Sequence, residues 1–185
     1  MADASDGVRL SVPGLEVEAR LPWHAATLRY FDPHGSFAAA VAAVTGTPLP
    51  AALTATILPP DAAVGAGVVL AWLRPTEALA LSGKAAPIAQ LKERLADAAG
   101  GHVVELSGGL EAFRVRGSRL PEFLGRLGGT AVALRPGEAR RGRLADVPML
   151  ALSVRAEEVV LVADRAYAAH LGDWIDATLA DWSDA

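Results

Sequence analysis

Histidines are the first residues to test for chemistry, because imidazole serves both as a metal ligand and as a general base near neutral pH. The chain has four of them, His24, His34, His102 and His170, and none stands three or four residues from another. A metal site built from them would need three distant elements to converge. There is also no cysteine, which excludes disulfides, thiolate metal sites and cysteine nucleophiles from this chain. The sequence therefore predicts no metal site.

Serines, glycine turns and paired carboxylates give no stronger signal. Neither Ser107 nor Ser153 stands in the G-x-S-x-G sequence of a nucleophile elbow. The glycines of "SGGLEAFRVRG" (107–117) lack the G-x-G-x-x-G order, and "LSGK" (81–84) lacks the upstream glycine of a phosphate loop. The acidic pair at 157–158 lies in a predicted turn, where solvated carboxylates are usual. We therefore predict no catalytic and no cofactor-binding residue, and we interpret the glycines as turn residues.

Arginine is the one charged residue type that clusters. Arg135, Arg140, Arg141 and Arg143 fall within "RPGEARRGRL", a predicted loop in a chain of net charge -4. A solvated loop is one interpretation of this segment. Clustered arginines also favour protein interfaces more than lysines do. We therefore treat these four residues as candidate contacts with an acidic partner surface.

Composition bounds the class of protein. The chain has 185 residues, of which 52% are hydrophobic and 21% charged, as expected of one ordinary domain. Its acidic balance lacks the basic face that nucleic acid requires. The first residues have no apolar core of the length that a secretory signal needs, and no apolar stretch approaches the roughly 20 residues of a membrane span. We expect a cytoplasmic protein with neither nucleic acid nor membrane as a partner.

Strands and helices alternate in a pattern typical of an α+β fold. Residues 1–22 lack sustained periodicity and are predicted to be an extended N-terminal lead-in, with a short strand at 15–19; residues 23–185 are predicted to form a single α+β domain. The predicted strands are 24–31, 53–60, 67–75, 77–82, 102–107, 110–117, 148–155 and 158–164, with helices after residues 35, 84, 117 and 164. Short turns join several strands into hairpins, which favours mainly antiparallel sheets and is compatible with a duplicated β-α-β-β half.

Helix boundaries follow from capping residues. Ser36, Ser118 and Asp164 are predicted N-caps, because their side-chain oxygens can accept from free amides of the first turn. The last helix is predicted to bury one stripe of apolar residues, namely Leu171, Trp174, Ile175, Leu179 and Trp182.

The order of these motifs resembles a known family. "HVVELS", "FRVRGSRLPEFLGRL", "LRPGE", the hairpin "PMLALSVRAEEVVLVAD" and the closing helix follow the run of the folate-binding superfamily of the glycine-cleavage T protein. Upstream, "LAWLRPTEALALS", and at the end "LGDWI", are most similar to the gamma subunit of heterotetrameric sarcosine oxidase. The residues in matching places are Trp72, Leu73, Pro75, Glu77 and Leu79. The resemblance covers about residues 23 to 182.

The resemblance implies a glycine-cleavage T protein-like folate-binding-domain fold and a noncatalytic, structural role in assembly. In that family the complex oxidatively demethylates sarcosine and passes the one-carbon unit to tetrahydrofolate. The gamma subunit holds no cofactor, so the resemblance places FAD, FMN, NAD and tetrahydrofolate on other subunits. It also implies that the chief partner is the large alpha-type subunit.

Two departures from the superfamily bear on function. The strand at 148–154, "PMLALSV", has no acid, whereas the T protein carries an acidic pair on the corresponding strand that helps to hold and activate folate. The family's "D-[LV]-S" strand also reads Glu105-Leu106-Ser107 here. The alternative is a free-standing folate-binding or aminomethyltransferase-like protein, for which Glu105 is the candidate carboxylate. A related complex acting on N-methylglutamate or dimethylglycine is a third hypothesis.

Overall fold

Strands and helices alternate through the computed structural model, which describes residues 8–19, 23–59, 62–65, 67–128 and 135–183. The strands are β1 (Val8–Val12), β2 (Leu15–Ala19), β3 (His24–Tyr30), β4 (Ala55–Ile57), β5 (Val68–Arg74), β6 (Glu77–Ser82), β7 (Gly101–Glu105), β8 (Leu110–Arg116), β9 (Ala139–Leu144), β10 (Val147–Arg155) and β11 (Glu158–Asp164). The helices are α1 (Ser36–Thr45), α2 (Ala85–Arg94), α3 (Leu120–Arg126) and α4 (Ala168–Ser183), and one turn of 3₁₀ helix, Arg165–Tyr167, precedes α4.

Contacts divide the chain into two compact units. One is Trp23–Gly108, and the other combines Met1–Pro22 with Gly109–Ala185. Each unit has its own sheet and its own hydrophobic cluster. This division differs from the expected boundary, which separated residues 1–22 from all that follows.

The unit Trp23–Gly108 contains a five-stranded sheet in the order β4-β5-β6-β3-β7, and every neighbouring pair is antiparallel. Alternate residues of β3 enter one hydrophobic cluster with both helices, because successive side chains of a strand point to opposite faces. This cluster includes Leu28 from β3, Phe37 and Val41 from α1, and Ile88 and Leu91 from α2. The apolar spacing that predicts these helices therefore supplies their contact with the sheet.

The other unit contains a six-stranded antiparallel sheet in the order β1-β2-β8-β11-β10-β9. Helices α3 and α4 contribute to its core, where the Phe123 and Trp182 rings lie 6.4 Å apart. The guanidinium carbons of Arg119 and Arg126 lie 4.1 Å and 4.6 Å from the centre of the buried Trp182 ring. Two cation–π contacts therefore reinforce the packing of α3 on α4.

The two sheets repeat one arrangement of strands. The order β4-β5-β6-β3-β7 in the first matches β9-β10-β11-β8-β2 in the second. Both units run β-α-β-β-β-α along the chain, so the repeated part has one strand more than the predicted β-α-β-β half. The final strands of the two matched orders, β7 and β2, come from different places in the chain. Strand β7 follows the second helix of its unit, whereas β2 lies in the N-terminal segment.

The described N-terminal residues contribute two strands to the six-stranded sheet, and the short strand predicted at 15–19 is confirmed as β2. Strands β1 and β2 form a hairpin, and Val17 of β2 pairs with Val115 of β8. Gly14, at φ 76°, occupies the turn between the strands, so the Pro13-Gly14 pair that suggested a loop is a hairpin turn. Leu15 and Val17 are buried in the core of this sheet.

Two predicted caps are wrong and one is confirmed. Gly35 precedes α1 as its N-cap, and the Ser36 hydroxyl instead donates to the carbonyl of Ala99 at 2.7 Å. Helix α3 begins after Arg119 and not after Ser118. The Asp164 carboxylate accepts from the amide of Ala166 at 2.8 Å, as predicted. Each failed cap had the right residue type without the geometry that capping requires.

Helix α4 leaves one tryptophan partly exposed that the sequence predicted to be buried. Its buried stripe includes Leu171, Ile175, Leu179 and Trp182, whereas Trp174 is 41% exposed. The stripe is therefore narrower than the sequence predicts. Within the described residues, no helix has both the length and the hydropathy of a membrane span.

Candidate functional site

The arginine-rich segment lies on a strand and not in the predicted loop. Arg140, Arg141 and Arg143 belong to β9, the last strand of its sheet, while Arg135 precedes the strand. Arg140 pairs with Ala151 and Arg141 with Leu150 of β10, so these two side chains point to opposite faces. Charged residues on an edge strand oppose further strand pairing, which gives these arginines a structural role as well.

Ion pairing differs among the four arginines. The Arg140 guanidinium lies 3.4 Å from the carboxylate of Glu138, which also accepts from the amide of Arg135 at 3.1 Å. Arg143 donates to the carbonyl of Asp146. In the part of the chain that the structure describes, no carboxylate pairs with Arg141. The structure thus brings three arginines together on one exposed edge, with one local carboxylate beside them.

A second charged cluster was not predicted and centres on Glu77. The Glu77 side chain is only 7% exposed, and its two carboxylate oxygens lie 3.0 Å and 2.6 Å from the Nε atoms of Arg29 and Arg74. Arg29 lies across from Glu77 in the pairing of β3 with β6, and Arg74 ends β5 three residues before Glu77. One buried carboxylate therefore positions two arginines that are each more than half exposed.

Aromatic residues and a histidine complete this cluster, which we call the Glu77 pocket. It has a volume of ≈ 390 Å³ and is lined by Arg29, Tyr30, Phe31, Arg74, Thr76, Glu77 and His102. His102 of β7 pairs with Arg29 on the other side of β3. Burial, and secondarily the negative charge of Glu77, raise the pKa of the Tyr30 hydroxyl above its ordinary value.

Sequence signals for the Glu77 pocket were weak. Arg74 and Glu77 stand three residues apart across a turn, which is a visible pair. Arg29 is 48 positions from Glu77, and only the register of β3 against β6 brings them together. Phe31 ends the predicted strand 24–31, and nothing in the sequence distinguishes it there from a buried residue.

Helix α4 borders another open pocket, of ≈ 640 Å³, lined in part by Arg126, His170 and Trp174. The His170 ring lies 5.8 Å from that of Trp174, and its Nε2 atom is 3.1 Å from the carbonyl oxygen of Ala145. These contacts hold the histidine and the partly exposed tryptophan together. The carboxylates that line it, Asp173 and Asp181, are exposed, and the hydroxyl of the buried Thr178 donates to the carbonyl of Trp174 within the same helix.

Candidate catalytic groups lie apart from one another. Glu105 is half exposed and its carboxylate lies 3.4 Å from the Lys92 ammonium and 3.3 Å from the Ser107 hydroxyl. The Ser153 hydroxyl donates to the carbonyl of Arg155. Over the described ranges, no three His, Asp or Glu side chains are grouped so that they could hold a metal ion. Strand β10 presents no carboxylate at all.

The fold defines a class of protein, namely those built like sarcosine oxidase and the glycine cleavage T protein. The aminomethyltransferase T of the glycine cleavage system from Bartonella henselae is similar over 85% of this chain, with a TM-score of 0.66 and 11% identity. This chain covers 44% of that protein, so it spans less than half of its length. The predicted α+β fold class is confirmed.

The particular similarity is to a chain of the heterotetrameric sarcosine oxidase from Corynebacterium sp. U-96. The match has a TM-score of 0.76 and 21% identity, and it covers 92% of this chain and 86% of that one. The two chains are therefore of similar length, and the resemblance noted in the sequence is confirmed at the level of the fold. No protein-family model and no curated protein sequence matches this chain.

Proposed function

We propose that this chain is a noncatalytic subunit, of the gamma type, in a heterotetrameric complex that resembles sarcosine oxidase. The complex would oxidatively demethylate sarcosine and pass the one-carbon unit to tetrahydrofolate. In this proposal FAD, FMN, NAD and tetrahydrofolate lie on other subunits, and the chief partner is the large alpha-type subunit. The present chain contributes to assembly.

The observation that carries the proposal is the fold match to one chain of a heterotetrameric sarcosine oxidase, which has a TM-score of 0.76 against 0.66 for the aminomethyltransferase. The chain covers 86% of one chain of a heterotetrameric sarcosine oxidase, but only 44% of the aminomethyltransferase. The likeness therefore favours the subunit over the free-standing enzyme.

The chemistry of the described residues supports the same function. Folate activation in the T protein family draws on an acidic strand, and β10 is acid-free at the corresponding place. Glu105, the alternative carboxylate, is half exposed and paired with Lys92. Glu105 therefore lies in a water-exposed ion pair and not in an enclosed site.

Co-purification tests this proposal directly. The chain, tagged at one terminus, is coexpressed with the subunit genes that neighbour its own gene, and the recovered complex is analysed for mass and for flavin absorbance. We expect stoichiometric recovery of a flavoprotein complex. A flavoprotein that assembles with the same mass, flavin content and yield when this chain is omitted would contradict the proposal.

A free-standing folate-binding or aminomethyltransferase-like protein is the second candidate, favoured by the fold shared with the aminomethyltransferase. It requires the isolated chain to bind tetrahydrofolate without any other subunit. Calorimetric titration of the isolated chain distinguishes the two functions, because micromolar binding supports the second candidate. Glu105→Gln should then weaken that binding, whereas Glu93→Gln, which changes another exposed carboxylate, should leave it unchanged.

A further inference from the structure

We infer that Phe31, with Arg29 and Arg74 beside it, is the point at which this chain docks on its partner. The occupant is a segment of another subunit that carries a carboxylate next to an apolar recess. This inference rests on the proposed function and deepens it, since it names the contact surface and the chemistry of the surface that it meets.

Phe31 stands out because a large apolar ring is almost fully in water. It is 87% exposed, whereas the other exposed large hydrophobic residues of the described chain are between 41% and 47% exposed. Aromatic residues, phenylalanine included, and arginines are enriched at protein interfaces relative to the rest of the surface. An exposed aromatic ring that lines the same pocket as two arginines therefore has the composition expected of an interface anchor.

The backbone around Phe31 is held in place on both sides. The Phe31 amide donates to the carbonyl of Gly100 at 3.3 Å, and the Tyr30 amide donates to that of Thr76 at 3.1 Å. On the other side, the Asp32 carboxylate accepts from the His34 amide at 2.8 Å. Because the segment is already ordered, binding should carry only a small penalty in backbone conformational entropy.

The charges beside Phe31 select a carboxylate. The Glu77 carboxylate accepts from Nε of Arg29 and forms an ion pair with Arg74, and these two arginine side chains remain 52% and 58% exposed. Each guanidinium has five N–H donors in a planar fork, so both retain donors that face solvent. Arg29 and Arg74 together carry one more unit of positive charge than Glu77 balances, in a chain whose net charge is -4. Such a pair favours a bidentate carboxylate.

The shape of the patch fits a protein partner better than a free small molecule. The Glu77 pocket is open and Phe31 projects at its rim, so a small ligand in the pocket would leave most of the ring in water. A partner surface can cover the ring and place a carboxylate in the pocket at once. Covering the phenylalanine ring removes a large apolar surface from water, which favours the bound state.

The arginine-rich edge of β9 is the competing surface, and it has fewer features of an anchor. Arg140 already has the Glu138 carboxylate beside it, and no exposed large hydrophobic residue of the described chain lies on β9. Its position at the sheet edge also gives its charges a role in preventing strand pairing. The Glu77 pocket therefore carries the inference.

The test is coexpression of full-length variants with the neighbouring subunit genes. Phe31→Ser should lower the recovered partner at least ten-fold, and Phe31→Glu should lower it further through repulsion of the carboxylate. Phe31→Tyr should retain assembly. Tyr167→Ser is the matched control, because Tyr167 is an aromatic residue that is 42% exposed elsewhere on the chain. Circular dichroism melts of the isolated variants verify that each one folds.

The outcomes separate this inference from the function on which it rests. If the wild-type chain recovers no subunit, the proposed function is wrong, and the inferred docking surface is wrong as well. If the wild-type chain assembles and Phe31→Glu assembles equally well, only the docking surface is wrong. Equal assembly of Phe31→Glu together with loss on Arg140→Glu/Arg141→Glu would assign the contact to β9.

Discussion

Gly101 lies where two parts of the core approach more closely than any side chain permits. A Cβ atom there would be 2.4 Å from Cγ of Phe37 and 2.5 Å from the carbonyl oxygen of Arg29. The glycine therefore allows α1 to pack on the start of β7 beside the segment that carries Phe31. Its role is close packing and not a special backbone angle.

We predict that Gly101→Ala lowers the free energy of unfolding by about 2 to 3 kcal/mol, since the added methyl group must displace both the ring and the backbone. Urea denaturation followed by circular dichroism measures this change. Gly108→Ala is the control, because a Cβ atom at Gly108 meets nothing within 4 Å. A loss of the same size in both variants would contradict the packing argument.

Glu77 is the buried partner of two arginines and should matter more than an exposed carboxylate. Glu77→Gln is expected to destabilise the chain by about 1 to 3 kcal/mol, a range reduced from that of fully buried pairs because both arginines are half exposed. The matched change Glu105→Gln breaks an exposed pair with Lys92 and should cost under about 0.5 kcal/mol. Denaturation at low salt compares the two, and equal effects would refute the distinction.

Tyr30 links stability to alkaline pH. Burial, then the charge of Glu77, raise the pKa of its hydroxyl above the ordinary value of 10.0. The folded state then holds the proton more tightly than the unfolded state. The contribution of Tyr30 to the free energy of unfolding is therefore complete below pH 10 and is lost as pH rises through the raised pKa. Ultraviolet titration should show one of the two tyrosines ionising late, and Tyr30→Phe should remove that step. A late step that persists in Tyr30→Phe would belong to another residue.

At the scale of elements, the contact between α3 and α4 depends on Trp182. Its buried ring contacts Phe123 and lies beneath Arg119 and Arg126. We expect Trp182→Ala to cost about 3 to 5 kcal/mol of stability, with a smaller loss for Trp182→Phe. Trp174→Ala, on the same helix, should cost much less because Trp174 is 41% exposed. Thermal melts of the three variants would reveal the order, and a reversed order would contradict it.

The elements that the sequence predicts well are those whose pattern and burial agree. The apolar runs of β5, β10 and β11 and the stripe of α2 lie where they were predicted, because burial decides their structure. Strand β9 was missed because half of its six residues are arginines, and the edge of a sheet tolerates charge where a central strand does not. Strand β1 was missed because a Pro-Gly pair such as Pro13-Gly14 is typical both of loops and of hairpin turns.

The candidate site was less predictable than the fold. Arg29 and Glu77 are far apart in the sequence, and a one-residue change in strand register would move them to opposite faces. No local pattern fixes that register. The exposure of Phe31 depends on tertiary packing in the same way, since its neighbour Tyr30 is buried on the opposite face. Sites that arise from pairing between distant strands therefore become visible only in the structure.

At the scale of the whole molecule, the sheet of Gly109–Ala185 borrows two strands from the N-terminal segment. Deleting residues 1–19 removes β2 from the side of β8 and leaves that strand with unpaired backbone groups. We expect the amides of β8 to lose protection from hydrogen exchange, while those of β3 and β6 keep it. Retained protection of β8 in the shortened chain would show that the hairpin contributes little.

The borrowed hairpin also sets an order for the growing chain on the ribosome. All strands of the sheet in Trp23–Gly108 have been synthesised once Glu105 is added, so that sheet can form during translation, before β8 is made. Strand β2 pairs with β8, which lies about 100 residues later in the chain, so β2 can join the rest of its sheet only after β8 is made. The hairpin of β1 and β2 can therefore form early, whereas its contact with the rest of its sheet forms late.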